Sequence, residues 1–409
     1  MDFDDTPQEA AFRSRVRSWL ATNAPRRTRS AALAHETKDL GAGLTHARDW
    51  QAKKAAAGFA GITMPREYGG LGGTPMQAVI YRQEEAEFAV PQGFLDIGLE
   101  LCIPVLLRFG RPEHKQRYIE PALSGKEIWC QLFSEPGSGS DIAGARLRAR
   151  AQADGAWVLN GQKIWVSGAH YADYGIVATR SNPDKLKHEG LTFFWVDLKT
   201  PGIVVRPLRQ ASGLSEFTEV FFEDVRIPDS QRLGDVDDGW KIIVETLMLE
   251  RQAVGAGYAE IAGWRDALEV ARDTDFLSRP SIDDGRMRER IVDFYLKERG
   301  LQLSYFQALT ALSRGQTPGP EFSVGKLVGA SMLQQLAYFA MDLLGEDAQL
   351  IASEHPLRSR INYAWFWGAA ARIAGGSDEI VKNVLAERVL GLPPDIRIDK
   401  DRPFSSLRA

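Results

Sequence analysis

A chain of 409 residues, 44% hydrophobic and 25% charged, is long enough to bury a large core and to divide into two or three domains. Lys and Arg number 50 against 54 acidic residues, a net charge of −4, which excludes a general attraction to nucleic acid or to an anionic membrane surface. With two cysteines, Cys102 and Cys130, in apolar surroundings, no apolar leader and no run of about 18 uninterrupted apolar residues, a reduced, cytoplasmic protein without a disulfide framework is expected.

Thr6-Pro7-Gln8-Glu9 sets a capping hydroxyl before Pro at the first helical position and Glu at the third. Phe12, Val16, Trp19 and Leu20 then form one apolar stripe, so a helix starts here. The basic run at Arg26, Arg27 and Arg29 reads as a solvated loop. After the glycine-dense stretch 68–73, Thr74-Pro75-Met76-Gln77 repeats the device and predicts a helix to about Phe88. Leu95, Leu99 and Leu106 carry another, which Arg111-Pro112-Glu113 breaks and restarts. Residues 1–126 are thus an N-terminal helical domain.

From 127 to 237 the period becomes two. The strand at Trp129 runs into Ser134-Glu135-Pro136-Gly137-Ser138-Gly139-Ser140-Asp141, a turn whose backbone N–H groups and hydroxyls suit an anionic or polar ligand. Ala145, Leu147, Ala149, Ala151 and Ala153 then alternate with Arg146, Arg148, Arg150 and Gln152, one face solvated. Asp154-Gly155 and Asn160-Gly161 read as type I′ turns of an antiparallel meander, whose last strand puts Trp165 and Ser167 on one side of the sheet. Leu191–Leu198 and Glu219–Val225 add strands, so a middle antiparallel β-barrel or sandwich is expected.

Over 238–409 helical spacing returns. Ile243, Leu247, Val254 and Tyr258 form one pattern, and Arg286–Ser313, Glu321–Leu344 and Ser377–Leu390 three more, with a linker at 273–284. Together they predict a C-terminal four-helix bundle. The fold class is α+β, in the order helical, β, helical.

Phe133-Ser134-Glu135-Pro136-Gly137-Ser138-Gly139-Ser140-Asp141, followed after a hairpin by Leu159-Asn160-Gly161-Gln162-Lys163-Ile164-Trp165-Val166-Ser167-Gly168, resembles the flavin-binding signature of the acyl-CoA dehydrogenase family. Met64-Pro65-Arg66-Glu67-Tyr68-Gly69-Gly70 resembles the family as well, and the resemblance covers almost the whole chain. It implies α,β-dehydrogenation of an acyl-CoA to the trans-2-enoyl-CoA with FAD as cofactor, its N5 taking the β-hydride, and no metal. It implies that Phe133, Ser134, Gly139, Ser140, Trp165 and Ser167 contact flavin or substrate, Ser167 replacing the commoner Thr. Gly376, Ser377 and Glu379 match the helix start that contacts FAD.

The catalytic base is where the sequence departs. Many members carry Glu directly before Gly-Thr, but here Ala374-Gly375-Gly376-Ser377 puts Gly375 in that place. Its backbone N–H keeps the duty of donating to the thioester oxygen. A second solution within the family draws the Glu from an earlier helix, and Met248-Leu249-Glu250-Arg251 matches it, making Glu250 the candidate base with Arg251 beside the substrate. The family's Arg-x-x-Phe-Gly segment has no clear counterpart between Ala271 and Arg290, where Arg286 or Arg288 is the substitute, and Leu343-Leu344-Gly345 matches the adenosine-contacting motif in part.

The resemblance further implies an electron-transferring flavoprotein as acceptor, a homodimer or homotetramer, and a branched or bulky acyl chain, for which the missing side chain at Gly375 would also leave room. Two alternatives stay open: a flavin monooxygenase or oxidase on the same fold, and a FAD-sharing subunit of a hetero-oligomer.

Overall fold

The computed structural model describes residues 5–27, 40–254, 261–314, 316, 319–349, 355–399 and 401–407, with backbone alone at 250–254, 312, 313, 322 and 349. Arg29 and Tyr258 lie outside the described residues. In chain order the helices are α1 (Pro7–Asn23), α2 (Leu40–Ala56), α3 (Pro75–Glu85), α4 (Ile103–Phe109), α5 (Pro112–Leu123), α6 (Gly239–Val254), α7 (Trp264–Asp273), α8 (Gly285–Ser313), α9 (Ser323–Leu344), α10 (Pro356–Ala371) and α11 (Asp378–Arg388). The strands are β1 (Trp129–Leu132), β2 (Arg148–Ala151), β3 (Ala156–Ser167), β4 (Tyr174–Arg180), β5 (Leu191–Asp197), β6 (Ile203–Leu208), β7 (Phe217–Pro228), β8 (Arg232–Leu233), β9 (Asp275–Phe276) and β10 (Arg279–Pro280).

These elements condense into two compact units that divide the chain differently from cuts at 126 and 237. A helical unit takes Met1–Glu36, Pro75–Val90 and Arg251–Pro394, and a sheet unit takes Thr37–Thr74, Pro91–Glu250 and Asp395–Ala409.

In the helical unit, α1 begins as its sequence dictates. Glu9 Oε2 accepts the Thr6 N–H at 2.8 Å and Thr6 Oγ1 accepts the Glu9 N–H at 3.3 Å, a reciprocal cap. Phe12, Val16 and Leu20 are buried, and the helix packs on α3. The centre is α9, which touches α7, α8, α10 and α11 and buries Ala330, Leu333, Leu336, Ala337 and Ala340. By length and composition Ser323–Ala348 is apolar enough to cross a membrane, yet that apolar face is covered by the neighbouring helices. Both α7 and α10 join this core although neither stood among the expected helices.

In the sheet unit the strand order is β6-β7-β3-β2-β4-β5-β8. The expected all-antiparallel meander is corrected by β1, which pairs β4 in parallel, and by a parallel contact of β2 with β4. Parallel neighbours need a long crossover, and the β2–β3 hairpin lies within the connection from β1 to β4. Ala145, Leu147 and Ala149 are buried and Arg146, Arg148 and Arg150 exposed, as the sequence predicts, but Ala151 and Ala153 are exposed, so the alternation ends at Arg150.

The two expected turns differ from their prediction. At the β2–β3 hairpin Gln152 N–H donates to the Ala156 carbonyl at 2.8 Å, and Gly155 has φ +83° but Asp154 is not left-handed, so the turn is not type I′. Asn160-Gly161 is no turn: it lies within β3 at a register shift between Leu159 and Gly161, a β-bulge. Gly161 has φ +143°, and a Cβ there would stand 3.0 Å from the Leu147 Cα. Cys102 and Cys130 are buried and free, and burial pushes the Cys130 thiol up to about 12.

Candidate functional site

β1 leads into a tight turn over Glu135-Pro136-Gly137-Ser138. The Glu135 N–H donates to the Ser138 carbonyl at 2.8 Å and the Ser138 N–H returns to the Glu135 carbonyl at 3.0 Å, with Pro136 at the position such turns favour. Ser138 Oγ donates to the Asp141 carbonyl at 2.6 Å and is buried, while Gly137, Gly139, Ser140 and Asp141 are exposed. A Cβ added at Gly137 or Gly139 meets no described atom within 4 Å. The turn therefore opens outward.

A buried ion pair supports it from below. Lys163, fully buried, donates from Nζ to Glu135 Oε1 at 2.7 Å and to the Phe133 carbonyl at 2.9 Å. The Glu135 carboxylate also accepts the Arg146 N–H at 2.6 Å and the Leu147 N–H at 2.9 Å. Burial pulls the Lys163 ammonium below its usual range against the opposing pull of Glu135. Ile164 N–H donates to the Ser134 carbonyl at 2.9 Å, which holds Phe133 and Ser134 beside the end of β3. The Phe133 ring itself packs inward, edge-to-face on Phe193 at 5.6 Å.

Trp165 is the anomaly of this strand. It falls at a second register shift, between Lys163 and Val166, with φ +59° and 59% of its surface exposed. A bulky residue in left-handed backbone costs about 1–3 kcal/mol, and an aromatic left in water forfeits its burial. Edge contact with Phe217 at 6.1 Å is modest compensation. Buried Val166 separates Trp165 from the half-buried Ser167, which pairs Phe217 across the ladder.

The remaining described candidates belong to the helical unit. Gly375 and Gly376 have φ +65° and +90°, backbone that disfavours any side chain. Ser377 caps α11, accepting the Ile380 N–H at 3.4 Å, and exposed Glu379 sits in the first turn. Its own backbone N–H and the Ser377 hydroxyl hold the Glu379 carboxyl below the ordinary range.

Sequence reasoning missed what closes this glycine loop. Asp378, 4% exposed, donates its N–H to the Arg372 carbonyl at 3.1 Å and accepts Arg372 Nε at 2.6 Å. Arg372 Nη1 donates to Gln334 Oε1 at 2.8 Å, and the buried Lys326 Nζ lies 3.6 Å from Asp378 Oδ1. Desolvation pulls Lys326 below its usual range. The only signal in the sequence is that Arg372 and Asp378 bracket the two glycines.

Glu250 and Arg251 stand in α6, whose helical backbone is described, but their side chains lie outside the described residues. Arg286 is committed to Asp284 through Nε–Oδ1 at 3.1 Å and Nη2–Oδ2 at 3.0 Å, and Arg288 Nη1 to the Ile282 carbonyl at 3.0 Å.

Comparison with known proteins gives three consecutive matches: the acyl-CoA dehydrogenase N-terminal domain over residues 6–126, the middle domain over 130–225 and the C-terminal domain over 237–390. Acyl-CoA dehydrogenase IpdE1 of Mycolicibacterium smegmatis is 36% identical over 403 residues, 94% of this chain and 98% of that protein. Acyl-CoA dehydrogenase FadE34 of Mycobacterium tuberculosis is 38% identical over 343 residues, 84% of this chain, which spans 46% of that protein's length. The ChsE4-ChsE5 complex from Mycobacterium tuberculosis contains a chain of TM-score 0.75 and 25% identity, covering 97% of this chain and 100% of that one. A steroid acyl-CoA dehydrogenase, Tcur3481-Tcur3483, shares the fold at TM-score 0.79 and 24% identity, over 97% of this chain and 100% of that one. The chain belongs to the acyl-CoA dehydrogenase family, FAD-dependent oxidoreductases with a helical N-terminal, a β middle and a helical C-terminal region.

Proposed function

We propose that the chain converts an acyl-CoA thioester to the trans-2-enoyl-CoA with Glu250 as the acceptor of the α-proton. The observation that carries this reading is the Gly375-Gly376 pair in left-handed backbone, where the family resemblance puts a Glu. No side chain there can take a proton. Glu250, on α6, is the carboxylate the resemblance offers instead, and burial against an apolar acyl chain raises a carboxyl toward the neutral pKa that a base needs. The Gly375 N–H donates to the thioester oxygen as negative charge develops there, and Arg251 and Ser140 contact the substrate.

The residues present fit a flavin. Trp165 offers an exposed aromatic face that the chain's own packing does not use, and the turn at 137–141 opens outward. Phe133, Ser134, Gly139, Ser140, Trp165, Ser167, Gly376, Ser377 and Glu379 are the residues that would hold it, as the family resemblance carries them over. When bound, FAD supplies the acceptor for the β-hydride. The absent side chain at Gly375 favours a branched or bulky acyl group, and an electron-transferring flavoprotein is the acceptor that reoxidises the enzyme.

The assembly is a homodimer or homotetramer, or one subunit of a hetero-oligomer. The ChsE4-ChsE5 likeness supports the last form. So does the lack of a clear Arg-x-x-Phe-Gly counterpart, where the substitute Arg286 is paired with Asp284.

Anaerobic mixing with acyl-CoAs, from short straight chains to sterol side chains, tests the reading beside Glu250→Gln. Bleaching of the flavin band by a bulky thioester, lost by at least a thousandfold in rate in the variant with FAD retained, is the expected result. Bleaching that persists in Glu250→Gln removes Glu250 from the role, and flavin unmoved by every thioester removes the dehydrogenation.

A further inference from the structure

Residues 395–399 and 401–407, far in sequence from the Gly-Ser turn, are stapled to the loops around it within the sheet unit. Lys187 Nζ bridges two carboxylates, Asp141 Oδ2 at 2.6 Å at the end of the turn and Asp399 Oδ2 at 2.5 Å in the returning segment. Phe404 is 4% exposed and lies beneath the Arg180 guanidinium, 3.8 Å from its ring centroid, with Arg146 at 5.0 Å. The Phe404 N–H donates to the Lys185 carbonyl at 2.9 Å and the Ser405 N–H to the Pro183 carbonyl at 2.7 Å. Pro403 bridges Leu186.

Arg180 passes this support to the turn. It is 3% exposed, and its guanidinium donates to backbone carbonyls: Ala143 at 2.6 Å, Ala145 at 3.3 Å and Lys187 at 2.8 Å. Ala143 and Ala145 directly follow the Gly-Ser turn and are themselves buried. No described carboxylate is hydrogen-bonded to this guanidinium. A buried cation held by neutral carbonyls leans on its further surroundings, here the ring of Phe404 on one face and the charges of Glu135, Asp141 and Asp237 nearby.

We propose that residues 395–399 and 401–407 act as a strap that holds the Gly137–Asp141 turn in its ligand-receiving form, with Lys187 and Arg180 as the positioning residues that transmit it. Gly137, Gly139 and Ser140 are exposed, so beyond its internal Ser138 Oγ–Asp141 bond the turn is held in place at its two ends. Glu135 and Lys163 fix the first end, and Asp141, Ala143 and Ala145 are fixed from Lys187 and Arg180. The consequence for FAD rests on the reading of this turn as the flavin cradle.

The test uses the full chain reconstituted with FAD, carrying Asp399→Asn or Phe404→Ala, with hydrogen exchange and FAD affinity measured on each. Asp399 and Phe404 lie outside the proposed catalytic and cofactor-binding groups. Exchange at amides 137–145 should accelerate roughly tenfold and FAD should dissociate about fivefold more readily, while amides 329–340 of α9 keep their protection. Asp399→Glu should restore both. Unchanged exchange at 137–145 in both variants overturns the strap, and so does acceleration that spreads equally to 329–340. Faster exchange at 137–145 with unaltered FAD affinity upholds the strap and overturns the reading of the turn as a flavin cradle.

Discussion

Lys163 has no exposed surface and meets its counter-ion at 2.7 Å, so its ammonium depends on Glu135 and on the Phe133 carbonyl alone among the described hydrogen bonds. Glu135 is better provided, because the Arg146 and Leu147 N–H groups also donate to it. This asymmetry sets an order for two substitutions. Glu135→Leu strands a buried cation and should cost about 3–5 kcal/mol, whereas Lys163→Met leaves a carboxylate with two donors and should cost less. The double variant should lose less than the sum. Urea midpoints measure all three, and a Lys163→Met loss equal to that of Glu135→Leu would show that the backbone donors do not share the charge. Both residues are legible in the sequence as members of the flavin-like motifs. Their pairing is not, because 28 positions separate them and local spacing carries no information about which lysine folds beneath which turn.

At the scale of elements, the sequence reveals what local chemistry determines. The Thr6–Glu9 cap starts α1, alternation marks the strand after the turn, and long apolar patterns delimit α8 and α9. It hides α10, whose Tyr363, Trp365, Phe366 and Trp367 occupy successive faces and blur the helical period. It also hides the bulge at Asn160-Gly161, since the same dipeptide favours a hairpin turn when strands pair locally. What decides between turn and bulge is tertiary: Leu147 crosses so close that a Cβ at 161 would crowd its Cα at 3.0 Å, and φ +143° disfavours a side chain there. Gly161→Ala should therefore lower stability by about 1–3 kcal/mol, with the β3–β7 pairing retained. Thermal unfolding and amide exchange across β3 check this, and a neutral effect would mean that the Leu147 backbone yields freely.

Across the whole molecule, the two compact units carry different titrations. The sheet unit contains His114, His170 and His188, each pulled below its usual pKa by burial, with Nδ1 of His114 and of His170 lacking a partner among the described residues. A histidine with a depressed native pKa binds its proton more readily when unfolded, so stability falls as the pH drops below about 6.5, by up to about 1.4 kcal/mol per pH unit for each group. In the helical unit burial raises Glu298, which adds stability as the pH falls toward 4.5. Carboxylates held below their usual range, Asp5 and Glu84 in the helical unit and Asp229, lowered to about 2, in the sheet unit, lose their contribution only at lower pH, as each takes up its proton. Acid should thus loosen the sheet unit first. Hydrogen exchange corrected for its intrinsic pH dependence should show amides of β3 to β5 losing protection between pH 6.5 and 5 while α9 holds. His114→Gln should flatten that slope by up to one histidine's share, whatever it does to the absolute stability. Simultaneous loss in both units, or a slope indifferent to His114→Gln, would mean that the buried imidazoles are not what ties the sheet unit to pH.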